Sequence, residues 1–210
     1  TDTSKAGKVT TLTNSYAPEK VSISVKKVWA DSGDQDGKRP GSIEVQLKAD
    51  GNAKGEAVTL NEANDWNYTW TNLPKKAGGA DIKYAVDEVS VPEGYDKNIT
   101  KTVSGNTTSY TITNTHETEK TSATVKKVWD DSDDQDGKRP SELSVDLMNG
   151  NSVVETVVLN EKNEWSATVK DLAKYAGKAE IEYSWREGSM PAGYSLTDTT
   201  KAGKVTSLPN

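Results

Sequence analysis

The chain of 210 residues contains no cysteine and a single histidine, His116. Without thiols it can make neither disulfides nor thiolate nucleophiles, although secreted proteins need not use cysteine, so this absence does not place the chain in the cytosol. One imidazole in a linker region leaves no histidine-based triad and no histidine metal cluster. No apolar run approaches the roughly 20 residues that span a bilayer, so no membrane insertion is expected in this stretch. Nor does a signal peptide open it, as expected of a segment of a longer protein. The 26 basic residues are interleaved with 32 acidic ones for a net charge of −6, which provides no electrostatic footprint for nucleic acid or an anionic membrane. Hydrophobic residues make up only 32% of the chain, too few for a thick mixed core and enough for thin two-sheet sandwiches.

What the sequence does have is alternation. Thr, Val, Ser, Tyr and Trp crowd short period-2 runs, and Gly, Asn, Asp and Pro interrupt them at the spacing of sandwich turns, so the fold class is all-β. It also has a repeat of about a hundred residues. Ser24-Val25-Lys26-Lys27-Val28-Trp29 returns as Thr124-Val125-Lys126-Lys127-Val128-Trp129, and Asp34 to Pro40 returns as Asp134 to Pro140. Leu60-Asn61-Glu62 with Trp66 matches Leu159-Asn160-Glu161 with Trp165. Ile82, Tyr84, Glu88, Pro92, Gly94 and Tyr95 match Ile181, Tyr183, Glu187, Pro191, Gly193 and Tyr194. The expected organisation is two tandem β-sandwich modules, 17–116 and 121–210, joined by the polar linker 117–120. Thr1 to Asn14 resembles Thr197 to Asn210, so residues 1–16 read as the last strand and linker of a preceding repeat. An orphan strand of this kind, Val9 to Asn14, is expected to pair with a sheet edge. Arrays of like domains on short linkers behave as quasi-one-dimensional rods, which points to a stalk.

Three polar residues per module fall on inward faces. On a strand, side chains alternate, so Ile23, Val25, Lys27 and Trp29 share the apolar face. Glu88 ends the inward set Ile82, Tyr84, Val86, and Asn114 ends Tyr110, Ile112. In the second module Lys127, Glu187 and Asn210 stand in the same places, Asn210 following Thr206 and Leu208. Lys26 and Lys126 face solvent. A buried ammonium must be neutralised, paired or consumed. From spacing alone two outcomes stay open: a buried ion pair with an asparagine hydrogen-bonded nearby, and a reaction between amine and carboxamide. Burial lowers a lysine pKa and raises that of a glutamate, which would leave neutral amine beside neutral acid. The acid could then polarise the asparagine carbonyl and relay a proton to departing ammonia. Effective molarities on the order of 10⁵ M for oriented groups would let such a reaction proceed without a cofactor.

These residues and motifs resemble the collagen-adhesin B-type (CnaB-like) domains of Gram-positive surface proteins and pilins. The resemblance is carried by the Lys-Val-Trp openings, the Gln-Asp-Gly-Lys-Arg-Pro loops, the Val-Pro-x-Gly-Tyr and Met-Pro-x-Gly-Tyr turns, and Ile112-Thr113-Asn114-Thr115. It implies Ig-like sandwiches and a spontaneous intramolecular isopeptide bond from Lys27 to Asn114 assisted by Glu88, and from Lys127 to Asn210 assisted by Glu187. In the second module Pro209 stands where the first has Thr113. The resemblance further implies a stalk or spacer at the cell wall of a Gram-positive bacterium. Its partners would be neighbouring repeats of the same chain, with a host extracellular-matrix ligand held by other domains. It implies no external substrate and no cofactor. The alternative is a module that itself binds a host matrix protein or glycan through its loops.

Other signals are weaker. Ser32 to Gly37 and Ser132 to Gly137 look like calcium loops, but Ile43 and Leu143 occupy the twelfth position where a bidentate glutamate is needed, so a turn whose acids cap backbone amides is favoured and no metal is expected. Trp66, Tyr68 and Trp70 could form a sugar-stacking platform. Module two answers with Trp165, Ala167 and Val169 while Val86 becomes Trp185, and an exchange of bulk of this kind reads as core.

Overall fold

The computed structural model describes residues 7, 14–195, 199–202 and 204–209. Val9–Thr13, expected to form a docked strand, and Asn210, expected to carry the second crosslink, lie outside the described residues.

Among the described residues the regular elements are strands, apart from single 3-10 turns at Glu62–Asn64 and Glu161–Asn163. The first ten are β1 (Lys20–Ala30), β2 (Ser42–Ala49), β3 (Asn52–Ala53), β4 (Val58–Asn61), β5 (Asn67–Pro74), β6 (Lys76–Ala77), β7 (Ala80–Asp81), β8 (Tyr84–Glu88), β9 (Asp96–Ser104) and β10 (Thr107–Thr115). They are followed by β11 (Lys120–Val128), β12 (Glu142–Asn149), β13 (Ser152–Asn160), β14 (Ser166–Ala173), β15 (Tyr175–Ala176), β16 (Ala179–Glu180), β17 (Tyr183–Glu187), β18 (Thr200–Ala202) and β19 (Val205–Pro209). Two compact units result. One comprises Thr1–Trp29, Pro40–Pro92 and Asp96–Asn114. The other comprises Ala30–Arg39, Glu93–Tyr95 and Thr115–Asn210.

Each unit is an Ig-like sandwich of antiparallel and mixed sheets. In the first, the sheet β5-β1-β10-β9 faces a sheet in which β2 is flanked by β4 and β8. In the second, β14-β11-β19-β18 faces β13-β12-β17, and β11 runs parallel to β19 with Lys127 opposite Leu208. Short hairpins β6-β7 and β15-β16 stand apart from the main sheets. The turn between β2 and β3 takes left-handed backbone at both Asp50 (φ 50) and Gly51 (φ 86), the geometry that matches the twist of a two-residue hairpin.

Alternation explains the cores. Ile23, Val25, Ile43, Val45, Leu47, Leu60, Val86, Tyr110 and Ile112 fill the first, and Ala123, Val125, Leu143, Val145, Leu147, Leu159, Val169, Leu172, Trp185 and Leu208 the second. Lys26 and Lys126, one residue out of phase, are exposed. The bulk exchange is visible: Val169 and Trp185 are both buried in the second core, where the first has half-buried Trp70 and buried Val86. Tyr68 departs from the core reading, because it is 41% exposed. It sits on the edge strand β5, opposite Val25, with its ring edge-on to Trp70 at 5.0 Å and its hydroxyl free to reach water.

Candidate functional site

Lys27 and Asn114 lie on adjacent strands of one sheet, β1 and β10, and both side chains point into the core. Glu88 comes from the facing sheet, at the end of β8, opposite Val45 of β2. The backbone holds the lysine in place from its other side. Left-handed residues Asp65 and Trp66 (φ 50 and 56) turn the Trp66 carbonyl toward β1, where it accepts the Lys27 N–H at 2.8 Å. Trp165 does the same for Lys127 at 2.8 Å.

The three side chains meet at one carboxylate. Lys27 Nζ is 3.3 Å from both Glu88 oxygens, and Asn114 Nδ2 donates to Glu88 Oε1 at 3.0 Å. Lys27 is 3% exposed, Glu88 4% and Asn114 0%, so the cluster is dry. Asn114 Oδ1 is buried and accepts no hydrogen bond. Burial lowers the Lys27 pKa to about 8, against the opposing charge of Glu88 and with some help from Lys97. The Trp29 ring lies 4.5 Å from the ammonium, an aromatic floor whose contact with the charge sequence reasoning did not anticipate, although the Lys-x-Trp spacing places both on one strand face.

In the second unit Lys127 Nζ is 3.1 Å from Glu187 Oε1, with the Trp129 ring 4.9 Å away. Burial lowers the Lys127 pKa as well, again opposed by its glutamate. Leu208 and Thr206 of β19 are buried beside β11, and the residue expected to complete the set, Asn210, lies outside the described residues.

The Asp31–Arg39 loop is a hydrogen-bonded turn. Asp31 Oδ1 accepts the Asp34 N–H at 3.1 Å, Asp34 Oδ1 accepts the Arg39 N–H at 2.8 Å, and Asp31 Oδ2 accepts both Arg39 Nε at 3.0 Å and the Tyr95 hydroxyl at 2.9 Å. Asp131, Asp134, Arg139 and Tyr194 repeat these bonds. Among the described residues no cluster of acids and histidine is arranged to hold a metal ion. His116, set aside as a linker residue by its sequence position, has both ring nitrogens engaged: Nδ1 is 2.7 Å from the Gly94 carbonyl and Nε2 3.0 Å from Asp36.

Comparison with known proteins places this chain in a family. The family described as "Cna protein B-type domain" matches residues 23–115 and again 123–208. The collagen adhesin of Staphylococcus aureus is 43% identical over 178 residues, 85% of this chain and 15% of that protein. The crystal structure of two B repeat units of the collagen-binding protein of S. aureus superimposes with a TM-score of 0.74 at 37% identity, over 92% of this chain and 50% of that one. The chain thus spans a small part of the adhesin and half of the two-repeat structure. With both halves matched in tandem, the chain belongs to the Cna protein B-type domain family.

Proposed function

We propose that the chain is a pair of spacer modules from the surface of a Gram-positive bacterium, each closed on itself by a Lys–Asn isopeptide bond, that hold an adhesive region away from the cell wall. The observation that carries this reading is the buried set Lys27–Glu88–Asn114. A lowered lysine pKa supplies neutral amine, the glutamate touches both reacting side chains, and the unpartnered Asn114 carbonyl oxygen is the atom that must be polarised.

In the reaction Lys27 Nζ attacks Asn114 Cγ. The C–Nδ2 bond breaks, Glu88 relays a proton from the attacking nitrogen to Nδ2, and ammonia leaves, so that one amide replaces another with no net redox change. Lys127 and Glu187 would perform the same step with Asn210. The chemistry consumes its own groups and acts on no external substrate. A bond from residue 27 to residue 114 closes most of the module, which in chain-entropy terms stabilises it by about 4 to 5 kcal/mol. Tension arriving through β1 can then pass covalently to β10, and the sheets need not shear. Intact mass tests this reading, since each bond removes ammonia.

A second reading rests on the name of the S. aureus relative, a collagen adhesin: the modules themselves bind a matrix protein. Immobilised collagen separates the two, because a spacer gives no binding at micromolar chain and a direct adhesin gives saturable binding.

A further inference from the structure

The two acidic loops have the same sequence, Asp-Gln-Asp-Gly-Lys-Arg-Pro, and the same internal hydrogen bonds, yet among the described residues only one is occupied. Loop Asp31–Arg39 seats the linker and the hairpin β15-β16, all within one compact unit. Asp36 Oδ2 accepts the Glu119 N–H at 2.6 Å and faces His116 Nε2 at 3.0 Å, and Lys38 pairs with Glu119 at 2.6 Å. Gln35 donates to the Tyr175 carbonyl at 2.9 Å and accepts the Lys178 N–H at 2.9 Å. In loop Asp131–Arg139, by contrast, the side chains of Gln135, Asp136 and Lys138 have no hydrogen-bond or ion-pair partner among the described residues. They line an open concavity of about 600 Å³ with Gly193 and Tyr194.

The chain also carries the matching face. Ser15-Tyr16-Ala17-Pro18-Glu19-Lys20 corresponds to Thr115-His116-Glu117-Thr118-Glu119-Lys120, and the β6-β7 hairpin corresponds to β15-β16. The fixture is built the same way. Lys75 N–H donates to the Glu19 carbonyl at 3.0 Å and its Nζ pairs with the Glu19 carboxylate at 2.6 Å, while Lys174 makes the same two contacts to Glu119 at 3.0 and 2.9 Å. On this face Tyr16 is 81% exposed, the most exposed large apolar residue described. The sequence says which loop it follows: Thr1–Asn14 matches Thr197–Asn210, so a Ser15–Lys20 segment is the linker that comes after a module of the second type.

We propose that loop Asp131–Arg139 is the socket for a second copy of this chain, entered by that copy's Tyr16, Glu19 and β6-β7 hairpin. Asp136 receives the Glu19 N–H and the Tyr16 hydroxyl in place of an imidazole. Lys138 pairs with the Glu19 carboxylate, and Gln135 bonds the hairpin backbone. Gly79 stands where Lys178 does, so the ion pair of Lys178 with Asp34 at 2.6 Å has no counterpart and this joint is the weaker of the two. The interface is heterologous, joining the second module of one copy to the first module of the next. The inference deepens the array reading of the chain and is independent of the isopeptide bonds, which are read by mass alone.

The test is a tandem of two copies in which Asn210 of the leading copy is joined to Ser15 of the following one. The natural chain has no cysteine, so two introduced thiols report only on each other. A β-carbon built on Gly37 lies 3.1 Å from Lys178 Cβ, which makes Gly37→Cys with Lys178→Cys in the single chain a positive control. The counterpart is Gly137→Cys in the leading copy with Gly79→Cys in the following copy. If those turns do not tolerate the substitution, Gln135→Cys with Lys76→Cys serves instead. We expect a disulfide to form under mild oxidation as in the control, and Asp136→Ala to slow it about tenfold, the scale set by losing one charge-assisted hydrogen bond. Absence of the bond while the control oxidises overturns the proposal. So does a rate indifferent to Asp136→Ala, which means tethered collision only.

Discussion

Lys27 and Asn114 share one oxygen: Glu88 Oε1 is 3.3 Å from the amine and 3.0 Å from the carboxamide nitrogen, in a pocket that water does not reach. An ion pair alone would not need the asparagine, and a structural asparagine would not need a buried lysine whose pKa is lowered by desolvation. The arrangement has the parts that the proposed amide exchange needs, with the acid outside the bond that would form.

Replacing Glu88 with alanine should leave the first module folded and uncrosslinked. The acid touches both partners and stays outside the bond, so its loss removes the proton relay, and with it the crosslink, while the apolar core that folds the module is kept. The Glu88→Ala chain is expected to weigh about 17 Da more than its sequence change alone dictates relative to the natural chain, and to be cleaved faster by trypsin. A mass difference equal to the substitution would remove Glu88 from the mechanism.

The triple variant Lys27→Met, Glu88→Leu, Asn114→Leu distinguishes a crosslink from a buried ion pair by sign. If the cluster is only polar, replacing all of it by apolar residues of similar size should be neutral or stabilising by about 1 to 4 kcal/mol. If it is a covalent bond, the same replacement should cost about 4 kcal/mol of loop-closure stabilisation. Denaturant unfolding reads the difference, and an unchanged or raised midpoint would contradict the crosslink.

Asp31 contributes stability that is lost in acid. Burial alone would raise its pKa, but hydrogen bonds from Arg39, Tyr95 and the Asp34 amide outweigh it and hold the carboxyl at about 2, below its ordinary 3.8. A depressed pKa stabilises the fold above the unfolded value, so about 2 kcal/mol is present above pH 4 and fades as pH falls toward 2. Asp31→Asn should flatten that part of the pH–stability curve and lower stability at pH 7. A curve of natural shape in this variant would show that the Asp31 carboxylate does not supply the slope.

His116 should titrate high. Its Nδ1 faces the Gly94 carbonyl and its Nε2 the Asp36 carboxylate, both acceptors, so the geometry calls for the doubly protonated ring, and these two contacts raise its pKa above 6.5 against burial and the nearby Lys38. A raised folded pKa gives stabilisation that is complete below 6.5 and is lost as pH rises through the folded value. As the only histidine, its ring proton gives one NMR titration curve, and Asp36→Asn should move that curve down. A midpoint at or below 6.5 in the natural chain would contradict the contact.

Much of this was legible in the sequence because period-2 alternation is a hard constraint. Lys27, Glu88 and Asn114 interrupt apolar sets in phase, so their burial could be read before any coordinates, and the tandem match supplied the same three places again. Tyr68 was misread for the same reason it was noticed: phase gives the face of a strand, but not whether that strand is at a sheet edge, and β5 is one. The Asp31–Arg39–Tyr95 clamp was hidden because its members lie in loops, where spacing carries no direction. His116 was hidden likewise, since both its partners come from turns remote in sequence.

The intact mass of the purified chain, measured after denaturation, tests the central claim most directly. Each Lys–Asn bond expels one ammonia, so two completed modules should weigh about 34 Da less than the sequence, with fragments joining the Lys27 peptide to the Asn114 peptide and the Lys127 peptide to that of Asn210. A loss of about 17 Da would confine the bond to one module. A mass equal to that of the unmodified sequence would contradict the account.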